Sequence, residues 1–467
     1  MADQPSKTRE FNWHEWFPWL ILLRTVRVAL MARVMALGAL GLIATTLGWR
    51  AIGSVFPENS EVANDPVISE WRKAVDQWPW DKSLELSVKA TVTSAADLFN
   101  WAAQGIPKAP VSLWQYLTRP FMEMFSGDLT APGFFQLLLC CLWALFVWGI
   151  FGGAISRIAA LKLTRDEAPG FVAALKFAVS KLSSYSLAPL IALAGAGVFA
   201  GQLLVLGWLM RLEVIAMLAG VAWGFVLLLG FLMAILLIGA LVGWPLMWAT
   251  VSVEGTDAFD ALSRSYAYTY QRPWRLLWYV LFAGFLAAVS MFVVRLFAAS
   301  AIELGNWSVE WGLDQQTMID VVDSQKTPPA KASVAPPVVL PSAVVVATPG
   351  EEPITVAMTE EPEAEETVHS DAAPLGLPIR IAAWGVDRWK LLLNALAAGY
   401  QAGFLWASAV GVYLLLRRDI DGVEMNEVYS GPDDEFGMPS LTDDAATGVP
   451  EVAPREPAQR GDGGSEL

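Results

Sequence analysis

The sequence of 467 residues has little charge, almost no histidine and only two cysteines. Charged residues make up 16% of it, where a soluble globular protein carries about 25%, so a chain folded in water is a poor fit. The two histidines, His14 and His369, sit in an aromatic N-terminal stretch and a Pro- and Glu-rich linker, without metal-ligand spacing. Cys140 and Cys141 are adjacent inside an apolar run. Neighbouring cysteines rarely form a disulfide, so both read as lipid- or core-facing packing residues. The sequence contains no GxxxxGK[ST], GxGxxG, HExxH or GxSxG, and the apolar runs carry no paired carboxylates on a helical face. It therefore offers no catalytic residue, no cofactor-binding motif and no metal ligands, and we expect a protein that is not an enzyme.

Apolar residues are what it does have. They reach 55% of the chain, with 22 Trp, and the mean hydropathy is +0.45. Indole rings concentrate at membrane–water interfaces, and runs of about 20 apolar residues cross bilayers. The net charge of −15 is unevenly placed. Residues 419–467 carry 13 acids and 2 bases, and residues 320–374 carry 10 acids and 2 bases, so the remainder is mildly basic at +4. No basic patch suited to nucleic acid is present.

The expected fold class is all-α, a polytopic membrane protein with about six transmembrane helices, cytoplasmic amphipathic helices, and a disordered linker and tail. Residues 1–27 read as an aromatic, interfacial N-terminus. The first span is expected over 28–49, with Arg33 snorkelling to headgroups at its end. The membrane core is 133–299, holding spans at about Phe134–Ile155, Pro189–Met210, within Val214–Thr250, and Leu276–Val294. The last span lies within 378–416, about Leu391–Leu416. The fourth apolar region would make a helix ~55 Å long against a core of ~30 Å, too short for two spans with a turn. One kinked helix is the expectation, with Gly243-Trp244-Pro245 as the kink.

Six spans with the N-terminus inside place Arg157, Lys162, Arg165, Lys176 and Lys181, then Arg264, Arg272 and Arg275, then Arg417 and Arg418 on one side, as the positive-inside rule requires. Both termini would then be cytoplasmic. The extracytoplasmic stretch 51–132 shows helical spacing at Leu98, Trp101 and Ala102, and again at Leu113, Tyr116, Leu117 and Phe121, which suits helices lying on the bilayer or capping the bundle. The stretch 300–377 loses all periodicity from about residue 320 and, like the acidic tail 419–467, reads as disordered. The tail is the natural place for a protein partner, or a solvated spacer; the bilayer itself is the other partner.

Two inner loops resemble each other. Each has an acidic turn bearing Gly or Pro, then an amphipathic helix (Phe171–Phe177; Phe259–Tyr266), then re-entry. Thr256 or Asp257 is a credible N-cap for the second. This suggests a parallel duplication of span, amphipathic helix and span. The second loop also resembles a known pattern. Val253-Glu254-Gly255, Ala258 to Ser265 and Arg272-Pro273-Trp274-Arg275-Leu276-Leu277 are similar to the Glu-Gly turn, Ala-Leu-x-x-Ser and basic-aromatic re-entry of YciC-like bacterial membrane proteins. The membrane domain attached to some glycerophosphodiester phosphodiesterases shares it. The resemblance is firm from Gly243 to Tyr279. It implies a helical membrane architecture and a bacterial inner membrane, and implies no activity.

Candidate sites are few. Arg264, Arg272, Trp274 and Arg275 form a basic-aromatic group suited to anionic lipid headgroups, although positive-inside topology alone would supply the bases. Gln202 is the outstanding polar residue within a span. It fits either a substrate site between the duplicated halves or an amide bonding across helices. Four Gly-x-x-x-Gly strips begin at Gly149, Gly197, Gly220 and Gly239 and permit close helix approach, within the bundle or between copies. The expected role is a membrane-organising or accessory component, with a transporter or lipid-binding protein as the rival.

Overall fold

The computed structural model describes residues 18–56, 65–76, 109–126, 129–312, 377–429, 441–443 and 450–452. The helix expected near Leu98–Ala102 lies outside them, as does most of the linker and tail. After a single 3-10 turn at Pro18–Leu20, the helices are α1 Ile21–Ala29, α2 Ala32–Val55, α3 Pro66–Asp76, α4 Ala109–Glu123, α5 Ala131–Thr164 and α6 Phe171–Ser180. They continue with α7 Leu182–Leu209, α8 Glu213–Val221, α9 Trp223–Glu254, α10 Ala258–Gln271, α11 Pro273–Glu310 and α12 Leu377–Asp421. The described part of the tail adds a short antiparallel ribbon, β1 Leu441–Asp443 and β2 Pro450–Val452, with Leu441 opposite Val452. Six described helices, α2, α5, α7, α9, α11 and α12, are long and apolar enough to cross a membrane.

Several boundaries differ from expectation. The first span begins at Ala32, because the chain breaks at Leu30 and Met31 and gives 21–29 a helix of its own. Arg33 does not reach for headgroups: its Nη1 donates to the carbonyls of Pro169 (2.6 Å) and Ala168 (3.2 Å). The fourth region holds one spanning helix as expected, but the break falls at Ala222, between α8 and α9, while α9 continues through Pro245. The nine residues of α8 extend only about 14 Å, too short to cross. The final helix starts at Leu377 and runs unbroken to Asp421, longer at both ends than the expected span.

The chain divides into two compact units. The first comprises Met1–Ala298 with Asn394–Leu467, and the second Ala299–Leu393. In the second unit the described residues are the end of α11 and the start of α12. Trp307 meets Trp311 edge-on at 5.1 Å, and the Arg388 guanidinium lies 5.7 Å from the Trp384 ring.

In the first unit, α5–α6–α7 and α9–α10–α11 repeat the order long helix, short helix, long helix. Asp257 caps α10, its side chain accepting from the Asp260 amide at 2.9 Å. The Glu-Gly turn before it closes α9 with Gly255 at φ +65, a left-handed position that costs other residues about 1–2 kcal/mol. Lipid gives helices no hydrophobic reason to associate, so close packing and hydrogen bonds must hold them. Glycine supplies the first. At the α2–α12 crossing, a methyl group on Gly38 would overlap the Gly399 carbonyl, and one on Gly399 would overlap the carbonyl of Met35. Gly149 and Gly153 of α5 admit Leu182 and Tyr185 of α7, at 2.7 and 2.8 Å from where a Cβ would stand. Gly239 and Gly243 of α9 likewise admit Tyr266 and Ser265 of α10, both at 2.6 Å. Two of the four glycine strips therefore pack within the chain. The other two, Gly197/Gly201 and Gly220/Gly224, meet nothing within 4 Å.

Away from these crossings, Asp65 joins two elements. One carboxylate oxygen accepts from the Val67 amide (3.0 Å) at the start of α3, the other from the Thr130 amide (2.9 Å) before α5. Burial pushes its carboxyl up, but the donors of Thr130, Ile68 and Val67 outweigh that and hold it below its ordinary 3.8. A lowered carboxyl stabilises the fold above its ordinary value, and that contribution is lost as pH falls through the lowered one. Asp65→Asn is expected to melt below wild type at pH 6, with the gap closing below pH 3.8. Gly399→Leu is expected to cost about 1–3 kcal/mol through overpacking, read as a lower melting temperature in detergent.

Candidate functional site

Between α4, α5, α7 and α9 lies a groove of about 670 Å³. From α4 it takes Leu117, Thr118 and Phe121; from α5, Leu138, Cys141, Leu145 and Trp148; from α7, Pro189, Leu193, Ala196 and Gly197; and from α9, Met233, Leu237, Ala240, Trp244 and Trp248. Cys141 is the one ionisable group among the lining residues. The groove thus joins the first repeated half (α5, α7) to the second (α9), with α4 along one side.

A tryptophan cluster forms its floor. Trp248 stacks on Trp406 of α12 at 4.5 Å and 11°, and Trp244 meets both edge-on, at 5.8 Å and 5.2 Å. This geometry sets the positive ring edge against a negative face. Trp148 stands 6.0 Å from Trp406, and Trp114 of α4 stands 5.1 Å from Trp244. The cluster fits because α5 has Gly152 beneath it: a Cβ there would sit 2.8 Å from Trp406 and 3.0 Å from Trp248. Trp248 is also tied to α7. Pro189 has no N–H for the Tyr185 carbonyl four residues before it, and Trp248 Nε1 donates to that carbonyl instead, at 2.8 Å. The floor is therefore built from four helices, α4, α5, α9 and α12, and tied to α7 through the Tyr185 carbonyl.

The groove was not foreseen from the sequence, although a signal existed. Trp244, Trp248 and Gly152 lie well inside their helices rather than at the interfacial ends where tryptophan concentrates. Trp244 and Trp248 are four apart, hence on one face.

The basic residues gather at the other focus, the end of the bundle where α5, α9 and α12 finish. Glu254, at the end of α9, accepts through one oxygen from Arg264 Nη1 of α10 (2.9 Å) and Tyr413 of α12 (2.6 Å). Arg417 Nε lies 3.1 Å from the same oxygen, an ion pair without hydrogen-bond alignment. Asp421 accepts from Tyr268, and Arg264 lies 3.9 Å from it. Asp419 accepts from Tyr279 (2.8 Å) and pairs with Arg275 (2.8 Å). Burial pulls the Arg264 guanidinium down, but Glu254, Tyr413 and Tyr268 beside it outweigh this and hold it above its ordinary value.

Beyond α12 the chain turns back over this end. Arg417 Nη1 donates to the Glu427 carbonyl (2.6 Å), Arg165 to that of Val428 (2.9 Å), and Arg157 to those of Tyr429 (2.6 Å) and Ser252 (2.9 Å). The Tyr429 amide donates to the Val253 carbonyl at 2.8 Å, and its ring covers Gly255. Lys181 donates to the Gly255 carbonyl, linking the two repeated loops.

These contacts redistribute the expected sites. Arg264 and Arg275, expected at lipid headgroups, each pair with a carboxylate of the same chain, and their side chains stay 42% and 50% exposed. Arg272 and Trp274 are exposed, Trp274 at 81%, and are not drawn into that network. The structure does not place Gln202 between the halves. It lies on an exposed face of α7 and outside the groove lining. The opening of the tail expected for a partner, 419–429, is tied to the bundle; most of the rest lies outside the described residues. Cys140 is buried and Cys141 lines the groove, both unbridged.

Fold and site together define an all-α, multi-pass integral membrane protein. Compared with known proteins, the chain matches no family model, no curated protein and no solved structure. Kinship with the YciC-like proteins accordingly stays a proposal resting on the residues quoted above.

Removing the shared carboxylate should leave Arg264 only Asp421, at 3.9 Å, as a carboxylate partner and Arg417 only the Glu427 carbonyl. Glu254→Ala is expected to cost roughly 3–5 kcal/mol, the range for breaking a buried ion pair, and to expose 422–429 to protease. An unchanged melting temperature and unchanged cleavage would mean that Glu254 ties nothing.

Proposed function

We propose that this chain is a non-enzymatic, membrane-organising protein that seats the acyl chain of a bilayer lipid in the groove between its repeated halves. The groove itself is the observation that supports this. An apolar cavity excludes water, so a space of 670 Å³ lined largely by Leu, Phe, Met and Trp suits apolar matter. Within a bilayer that matter is hydrocarbon. Stacked indoles fixed by Pro189, Gly152 and the Tyr185 carbonyl give the chain a rigid wall, which lowers the entropic cost of ordering it. The lining offers no acid, base or metal ligand set for chemistry. The proposed location is a bacterial inner membrane, with the Arg/Lys-rich end and both termini cytoplasmic, supported by the positive-inside rule. A partner for the acidic tail is compatible with this reading, and would have to engage residues beyond 429.

Gly197 gives a clean test, because it lines the groove yet has nothing within 4 Å of its would-be Cβ. Gly197→Phe should fold normally and fill the space. Native mass spectrometry of the detergent-purified chain should show a retained lipid on the wild type and at least a tenfold drop in its occupancy on Gly197→Phe. Gly284→Phe, in equally open space outside the groove, should keep the lipid. Equal lipid on all three proteins would defeat the proposal.

A further inference from the structure

Gln202 lies within a spanning helix and is exposed. The nearest charges along the sequence are Lys181 at the start of α7 and Arg211 beyond its end. At 1.5 Å per residue these stand about 45 Å apart, the width of a bilayer with its headgroup regions, and place Gln202 about 13 Å from Arg211. That position is inside the hydrocarbon. The residues that share its face of α7 are apolar and exposed, Val198 at 60% and Val205 at 55%, as a lipid-facing surface would be. A primary amide brings two donors and an acceptor, and leaving them unpaired in hydrocarbon is costly.

The residue types here say what the partner is. An amide is self-complementary, since the NH₂ of one glutamine bonds the C=O of another and the reverse bond forms at the same time. A two-fold axis along the membrane normal brings the same residue of two copies together at one depth, with the two α7 helices parallel. Close approach is also required, and the neighbouring Gly201 has open space where a Cβ would stand. The two glycine strips spent inside the chain, on α5 and α9, are covered by Tyr185, Leu182, Tyr266 and Ser265, whereas Gly201 has no atom within 4 Å of where a Cβ would stand.

We infer that the chain pairs with a second copy of itself through this face of α7, the two Gln202 amides hydrogen-bonding to each other within the membrane. The inference does not require a lipid in the groove, although Gly197, one turn before Gly201, lines that groove. It gives the amide a partner across helices that belong to different copies.

The test is single-molecule photobleaching of the full-length, singly labelled chain in liposomes across a range of protein-to-lipid ratios. Wild type should shift from one-step to two-step bleaching as density rises. Gln202→Leu faces lipid in the monomer and should keep its melting temperature, while moving the midpoint of dimerisation to roughly tenfold higher density, the scale of one interhelical side-chain bond. Gln202→Asn, which keeps the amide, should dimerise closer to wild type than Gln202→Leu does, and Gly201→Leu should impair pairing by blocking approach. Wild type that stays monomeric throughout, or Gln202→Leu that pairs as wild type does, would overturn the inference.

Discussion

One oxygen of Glu254 holds the ends of three helices. It sits on the last residue of α9 and draws in Arg264 from α10 and both Tyr413 and Arg417 from α12. Its position depends on Gly255, whose left-handed backbone turns the chain straight into the Asp257 cap of α10. From that point the remaining contacts are consequences. Tyr429 settles over Gly255, Arg157 reaches its carbonyl and Arg165 that of Val428, and Lys181 crosses from the first repeat to bond Gly255 itself. A bilayer interior supplies no water to charged groups. The end of the bundle is where such a network can form, and the helices leading away from it are joined by van der Waals contact and single hydrogen bonds.

Those contacts share a pattern in which glycine on one helix makes room for a large side chain on the next. Gly152 receives Trp406 and Trp248, Gly153 receives Tyr185, and Gly239 receives Tyr266. Each exchange seats an aromatic ring without separating the backbones. Several rings also repair a helix or bond a neighbour, as when Trp248 takes over the carbonyl that Pro189 leaves open, or Trp49 donates to the Cys140 carbonyl at 2.9 Å. Where the exchange is left incomplete, along α4, α5, α7 and α9, the groove remains.

Much of the architecture was legible because long apolar runs and basic flanks are strong signals. The six spanning helices, the single span in the fourth region and the Asp257 cap all follow from local sequence. What escaped depended on distant residues. Pro245 lies inside α9 where a kink was expected, whereas the break at Ala222 went unread because nothing in the local sequence marks it. The ion pairs of Arg264 and Arg275 could not be read locally, because Asp421 and Asp419 belong to a helix more than a hundred residues away. Gln202 reads as a site between the halves, but a period of 3.6 fixes only which residues share a face, and the structure turns that face outward. The groove was invisible for the same reason, being an absence between four helices.

In a bilayer the groove should be a filled site. The most direct measurement is a cryo-electron microscopy structure of the full chain in lipid nanodiscs. An elongated density lying against Trp148, Trp244 and Trp248, walled on the other side by Phe121, is the predicted result. A groove closed by α4 packing onto α7, with no density between them, would contradict it.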